Sequence, residues 1–502
     1  MTTLKSLVSQ IIALDPSAPA LEHDNVWRTW GDITAVIGAV NAILERNGIG
    51  PGTRIGGILR NTPEVAALII GTIIGDRCIV TLNPALPDDK LANDILTLKT
   101  PVIVGLAEDW QREAIAQAAR QTGALCIELT GDKAEPARVV QELTGTEFNR
   151  EAHGVGIEML TSGTTGTPKR IPLKAANFDK MILDAAVFES RRPEDGPRLS
   201  SATTILNTPF SHIGGIFGLF VMLSGGRRGT MLDRFRVDEF VNAVQRYKPK
   251  VAGAPPSALR MILDAGVPKE ALSSLVVFRT STAPLDPDLA DQFYERFGIP
   301  VLQNYGATEF AGGVAGWTLP DFKAFGATRR GSVGRMNPGI QGRIVDPETG
   351  EPLPYGEKGL LELRAKHLGD GESWVRTTDL ARMDEEQFLW ILGRADNAII
   401  RGGFKIIPDD VVNAIQSHPA VLEACVVAMP DARLGQVPGA GYRVRSGMSV
   451  AEPELRSFLR ERLTPYQVPV QLLEVEDFIR TPSMKPSQPE LRRQLEAAGA
   501  MA

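Results

Sequence analysis

The chain has 502 residues, 43% hydrophobic and 23% charged; this length predicts at least two domains, and the mixture excludes disordered, collagen-like and membrane-spanning classes. A net charge of −6 argues against general nucleic-acid binding, which needs a basic excess. The longest apolar run, residues 65–75, is roughly half of what a bilayer crossing needs, and no leader pattern opens the sequence, so a cytoplasmic protein without a membrane span is expected.

Three cysteines, Cys78, Cys126 and Cys425, lie far apart in apolar surroundings and read as buried thiols in a reducing compartment. The five histidines show no HxxxH spacing, which argues against a protein-held zinc. Glycine and proline number 49 and 35, enough to imply many tight turns between ordinary elements.

Helical spacing runs over residues 4–14 and 35–47, a short strand over 54–59, a buried helix over 64–74, and strands over 78–82 and 101–105. Strands alternating with helices at this pitch predict a parallel sheet covered on both faces. The rhythm resumes with strands at 203–206, 250–253 and 274–278 and helices at 240–247 and 287–297. From 331 to 392 helical periodicity disappears, and strand-like runs between Gly-, Pro- and Asp-rich turns suggest a small β-barrel. A compact segment follows, with helix 409–417, strand 421–429 and helix 452–463. The expected fold is α/β: a large N-terminal domain, residues 1–394, of αβα layered subdomains plus a small β-barrel, then a small mobile α+β C-terminal domain, residues 395–502.

The densest cluster of hydroxyls and glycines is Leu160-Thr161-Ser162-Gly163-Thr164-Thr165-Gly166-Thr167-Pro168-Lys169-Arg170. Backbone N–H groups freed by glycine, hydroxyl donors and one lysine suit a phosphate loop, although the Walker pattern is absent. Taken alone, the stretch also fits a merely flexible loop.

This loop resembles the signature of adenylate-forming enzymes, the superfamily of acyl- and aryl-CoA synthetases, peptide-synthetase adenylation domains and beetle luciferases. Four more of its motifs recur in order: Asn304-Tyr305-Gly306-Ala307-Thr308-Glu309, Trp374-Val375-Arg376-Thr377-Thr378-Asp379-Leu380, the run from Gly393-Arg394-Ala395-Asp396-Asn397 to Arg401-Gly402-Gly403-Phe404-Lys405-Ile406, and Arg480-Thr481-Pro482-Ser483-Met484-Lys485. The similarity extends over essentially the whole chain.

The resemblance implies that ATP and a carboxylate give an acyl-adenylate and pyrophosphate, after which a thiol attacks. Two anions must meet, so neutralisation and positioning are the chief demands. By the same resemblance, residues 161–169 hold the β- and γ-phosphates, Thr308 meets the α-phosphate, Glu309 anchors Mg²⁺, and Tyr305 stacks on adenine beside Asn304 and Gly306. Asp379 resembles the ribose-binding aspartate, and Arg394 would contact ribose or phosphate. Lys485, by default a solvated surface charge, matches the lysine that bridges the carboxylate oxygen and the α-phosphate. Asp396 falls where relatives have the hinge about which the small domain swings, and Gly402 and Gly403 would let the pantetheine arm pass. Three departures stand out: Arg170 replaces the usual glycine after the loop lysine, Thr378 replaces glycine before Asp379, and Asn397 replaces a second aspartate.

Pro209-Phe210-Ser211-His212-Ile213-Gly214-Gly215 matches the family segment lining the acyl pocket. No aspartate suited to a substrate amino group is visible there, which favours an unaminated acid. His212 could gate the carboxylate site or pack in the core. Thr282, in Thr280-Ser281-Thr282-Ala283-Pro284, replaces a commoner glycine version and should narrow the pocket, whose wall Ala283, Phe310 and Gly312 continue. This apolar lining suits an aryl, aryl-alkenoyl or medium-chain acid. No carrier segment follows residue 490, so the acceptor is expected in trans, with CoA the default. A carrier protein, an amine, or a silent nucleotide sensor remain the alternatives, and a homodimer is left open.

Overall fold

The computed structural model describes residues 3–161, 169–188, 196–307, 310, 312–369, 371–402, 404–481 and 485–500. The chain divides into two compact units, the first built from residues up to Gly313 and the second from Val314 onward.

In the first unit a seven-stranded sheet runs in the order Ala137–Gln141, Leu125–Leu129, Val102–Leu106, Arg54–Ile58, Cys78–Leu82, Val155–Thr161, Lys169–Lys174. Its central strands are parallel, and its two edge strands are antiparallel. Successive side chains of a strand point to opposite faces. Accordingly Ile79, Val102, Val104, Leu125 and Ile127 enter one apolar core, and Cys78, Val80, Ile103 and Cys126 enter another. This is why the strands read as continuous apolar runs without alternation. Helix Pro63–Ile74 contributes Val65 and Leu68 to the first core and helix Asp88–Leu98 contributes Leu91 and Ile95 to the second.

Thr62 caps helix Pro63–Ile74, accepting from the Val65 N–H, and Pro63 sits where its missing N–H costs nothing. The helix expected at 35–47 starts earlier, as Trp30–Arg46, because Thr29 and Asp32 form a capping box. A four-stranded sheet orders Thr203–Leu206, Arg228–Met231, Pro19–His23 and Val26–Thr29. Val251–Gly253, Val277–Thr280 and Val301–Ala307 are parallel neighbours. The middle strand lies three residues later than expected from 274–278, since the Leu275 N–H donates to Leu272 O and closes a turn there.

In the second unit Gln341–Val345, Gly359–Arg364, Val375–Met383 and Leu389–Arg394 form an antiparallel sheet in chain order. A further sheet orders Phe404–Ile406, Ile399–Arg401, Gly435–Val444 and Val421–Asp431, with Gln471–Glu474 added in parallel. Helices Pro408–Gln416 and Glu452–Arg460 pack Val411, Ile415, Leu455 and Leu459 into one core of this unit, and Gln488–Ala500 packs Leu491 and Leu495 into another. All three cysteines are buried free thiols, and burial pushes each thiol up to about 12. Among the described residues no helix is long and apolar enough to cross a membrane.

Candidate active site

The expected site residues fall on both units. In the first, the phosphate-loop motif joins Val155–Thr161 to Lys169–Lys174, with Thr161 opposite Lys169 as the last paired residues. Ser162, Gly163, Thr164, Thr165 and Gly166 lie outside the described residues, as do the side chains of Thr161 and Lys169. Arg170 turns neither to a phosphate nor to open solvent. Its guanidinium pairs with Asp94 at 2.7 Å and donates to Thr81 O at 3.3 Å, with both charged side chains largely buried. It therefore ties the strand leaving the loop to helix Asp88–Leu98.

The strand Val301–Ala307 carries Asn304, Tyr305 and Gly306, while Thr308 and Glu309 lie outside the described residues. Gly306 is required by close approach: a Cβ there would clash with Gly312 O and lie 2.7 Å from Gly313 Cα, both backbone atoms that cannot yield. Tyr305 and the buried Phe310 meet as tilted rings, centroids 6.3 Å apart. Gln303, which sequence reasoning did not single out, is buried and donates from Nε2 to Ala283 O at 3.5 Å, linking this strand to the Thr282 loop.

Thr282 has φ +72°, a left-handed conformation that glycine adopts freely and a β-branched residue resists. The commoner glycine version of this segment thus has a backbone reason, and Thr282 holds local strain, which often accompanies functional loops. His212 precedes helix Ile213–Ser224 as its N-cap, with extended φ −117° and no side-chain cap bond. Gly214 opens that helix with room around it, whereas a Cβ on Gly215 would press into Pro209.

In the second unit, Asp379 and Arg394 face each other across adjacent strands. The register slips between Leu360 and Glu362, so the partner strand carries an irregularity around Thr377, Thr378 and Asp379. Thr377 closes it, donating from Oγ1 to Leu361 O at 2.9 Å and accepting from the Asp379 N–H at 3.0 Å. Thr378 is exposed and is not among the positive-φ residues, so threonine is accommodated there without strain. Arg394 donates to Asp396, Nε to Oδ1 at 2.9 Å and Nη2 to Oδ2 at 2.6 Å. Asp396 sits in the short turn Ala395–Asn397. Gly402 has φ +56° and donates its N–H to Leu434 O, a left-handed turn that favours glycine; Gly403 lies outside the described residues.

Lys485 stands on a loop pinned at its base. The Thr481 N–H donates to Lys485 O at 2.8 Å, and the Lys485 N–H donates to Thr481 Oγ1 at 3.3 Å. Arg480 anchors the loop to the sheet through two bonds to Glu423, at 3.0 and 2.7 Å. The Lys485 side chain keeps contact with solvent, yet its pKa is lowered, by the surrounding protein first and by Arg394 second, with Asp409 pulling the other way. Asp409, in the first turn of helix Pro408–Gln416, also escaped the sequence reading, because an acidic residue at a helix start reads as ordinary capping charge. Burial raises its pKa, reinforced by Asp410 and Asp379, while its own backbone N–H and that of Arg394 work against the rise.

Among the described residues there is no group of three or more His, Cys, Asp or Glu able to hold a metal ion. A magnesium ion travelling on ATP does not demand one, since phosphates and water supply most of its ligands.

A fold of layered parallel sheets followed by an α+β segment, carrying aspartate, arginine and lysine together, defines a nucleotide-binding class. The family model described as AMP-binding enzyme matches residues 9–371, and that of the AMP-binding enzyme C-terminal domain matches residues 411–485. The chain belongs to the AMP-binding enzyme family. It is 30% identical over 355 residues to 4-coumarate–CoA ligase-like 9 of Arabidopsis thaliana, covering 67% of this chain and 61% of that protein. The putative acyl–CoA ligase YdaB of Bacillus subtilis is 28% identical over 458 residues, 86% of each chain. The chain thus spans less than two thirds of the first of these relatives and most of the second. Among solved structures, ATP-bound MatB from Rhodopseudomonas palustris shares the fold, with a TM-score of 0.81, 24% identity, and 98% and 99% of the two chains covered.

Proposed function

We propose that this protein activates an unaminated carboxylic acid with ATP, forming an acyl-adenylate, and transfers the acyl group to CoA. The observation that carries this reading is the convergence of Asp379, Arg394 and Lys485, from three separate motifs, in one neighbourhood of the second unit. A carboxylate for ribose hydroxyls, a fixed guanidinium and an ammonium are the groups a nucleotide and a second anion require together.

The carboxylate oxygen attacks the α-phosphorus and pyrophosphate leaves; the thiolate then attacks the acyl carbonyl and AMP leaves. In the first step Lys485 offsets the charge gathering on the α-phosphate, and Asp379 orients the ribose. Mg²⁺ held by Glu309 would neutralise phosphate charge, with residues 161–169 donating to the β- and γ-phosphates. In the second step Gly402 and Gly403 leave space for the pantetheine arm. The body at residues 1–394 and the mobile domain at 395–502 are part of the same reading, with Asp396 as the hinge. His212, Gly214, Thr282, Ala283, Phe310 and Gly312 line the acid pocket, whose apolar character favours aryl, aryl-alkenoyl or medium-chain acids.

The test is pyrophosphate release across aryl, cinnamyl-like and C4 to C12 acids, with and without CoA. Turnover that needs ATP, Mg²⁺ and an acid, with AMP release accelerated by CoA, supports the reading. Acceleration by an amine or a carrier protein in place of CoA overturns the acceptor assignment, and no turnover with any acid overturns the whole.

A further inference from the structure

Asp409 occupies a place that none of the family motifs explains. Helix Pro408–Gln416, which carries it, packs on strand Leu389–Arg394, which ends at Arg394 just before the Asp396 turn. The carboxylate takes a hydrogen bond from the backbone N–H of Arg394. It reaches that N–H because Gly393 has no side chain: with φ +135°, a Cβ on Gly393 would lie 2.6 Å from Asp409 Oδ2 and 2.9 Å from Ile407 Cγ2. The notch and the carboxylate fit each other.

The two partners lie on opposite sides of Asp396 in the chain. A rotation of residues 395–502 about that point moves Asp409 while Gly393 and Arg394 stay with the strand, so the contact survives in one arrangement only. In the arrangement described, Lys485 faces both Arg394 and Asp409. Lys485 is then beside the residues assigned to the nucleotide, as the adenylation step requires.

We propose that Asp409 is a positioning residue, a latch that joins helix Pro408–Gln416 to the Gly393-Arg394 backbone and holds the adenylation arrangement until the cap turns. The proposal rests on the two-step reading given above. Burial of the carboxyl agrees with it, since a partly desolvated acceptor gains more from its remaining donor than an exposed one.

The experiment compares Asp409→Ala and Asp409→Asn with wild type in the full chain. Amide hydrogen exchange at Arg394 and the two half-reactions, pyrophosphate release without thiol and thiolysis of a pre-made acyl-adenylate, are the measurements. The alanine variant is expected to speed exchange at Arg394 and slow pyrophosphate release by about tenfold, leaving thiolysis unchanged or faster. Asparagine, which keeps an acceptor oxygen and the shape, should stay close to wild type in both. Unchanged exchange in Asp409→Ala, an equal fall in both half-reactions, or an asparagine variant as impaired as alanine would each overturn the latch. A wild-type chain that activates no acid would defeat the proposed function, and the exchange measurement would still decide the contact.

Discussion

Arg394 grips Asp396 with both forks of its guanidinium, at 2.9 and 2.6 Å. The residue assigned to the nucleotide is thereby bound to the residue assigned to the hinge, and a ligand recruiting Arg394 must share or replace that pair. Arg394→Ala should raise KM for ATP by about tenfold or more, and Arg394→Lys, which keeps charge but loses the fork, should fall between. Initial rates of pyrophosphate release over a range of ATP concentrations check this; an unchanged KM in the alanine variant would remove Arg394 from the nucleotide site.

Lys485 is expected to matter in one half-reaction only. Lys485→Ala should reduce adenylate formation by about a hundredfold or more, while a pre-made acyl-adenylate still reacts with thiol at a rate close to wild type. Equal loss in both steps would mean that the substitution disturbs the loop anchored by Arg480 and Glu423, and not the chemistry.

Thr282→Gly should relieve strain and widen the pocket together. A β-branched residue at φ +72° stores about 1–3 kcal/mol, and glycine gives back about 0.5–1 kcal/mol of that in unfolded-chain entropy. The melting temperature should therefore hold or rise by about 1–2 °C, while bulkier acids gain kcat/KM relative to smaller ones. A clear fall in melting temperature would show that the threonine side chain makes a stabilising contact that outweighs its backbone cost.

His23 and Asp233 form an ion pair at 2.8 Å that gives a pH-dependent contribution to stability. The hydrogen bond to Asp233 raises the His23 pKa above 6.5 against the opposing effect of burial, and the same bond lowers that of Asp233 below 3.8. The histidine part is fully present below 6.5 and fades as pH rises through the raised value; the aspartate part fades as pH falls through the lowered one. Denaturant unfolding of His23→Gln against wild type should show its largest deficit at about pH 5–6 and a shrinking one at alkaline pH. A deficit constant from pH 5 to 9 would contradict the ion pair.

Several elements were legible because their cause is local. Helix Pro287–Phe297 follows the capping Asp286 and ends at Gly298 with φ +73°, each written in the residue types. Strand Cys78–Leu82 is a β-branched run between turns and was read to the residue. The strand Gly435–Val444 was not read, since Gly435, Pro438, Gly439 and Gly441 look like turn residues. It forms because ten of its residues pair with Val421–Asp431, a partner that local propensity does not reveal.

The site divides in the same way. The motif order from the phosphate loop to Lys485 was determined by sequence alone, as was the family, because residue identity at fixed spacing carries that information without coordinates. Tertiary structure alone decided that Arg170 serves Asp94 and Thr81, that Thr378 sits in an unstrained irregularity while Thr282 does not, and that Asp409 reaches the Arg394 backbone through the gap at Gly393. Each of these depends on which backbone comes close to which, a relation set by sheet register and helix packing over tens of residues. Length and composition had predicted more than one domain and many close turns; the folded chain shows where two of those glycines, Gly306 and Gly393, are spent on backbone approach at the site.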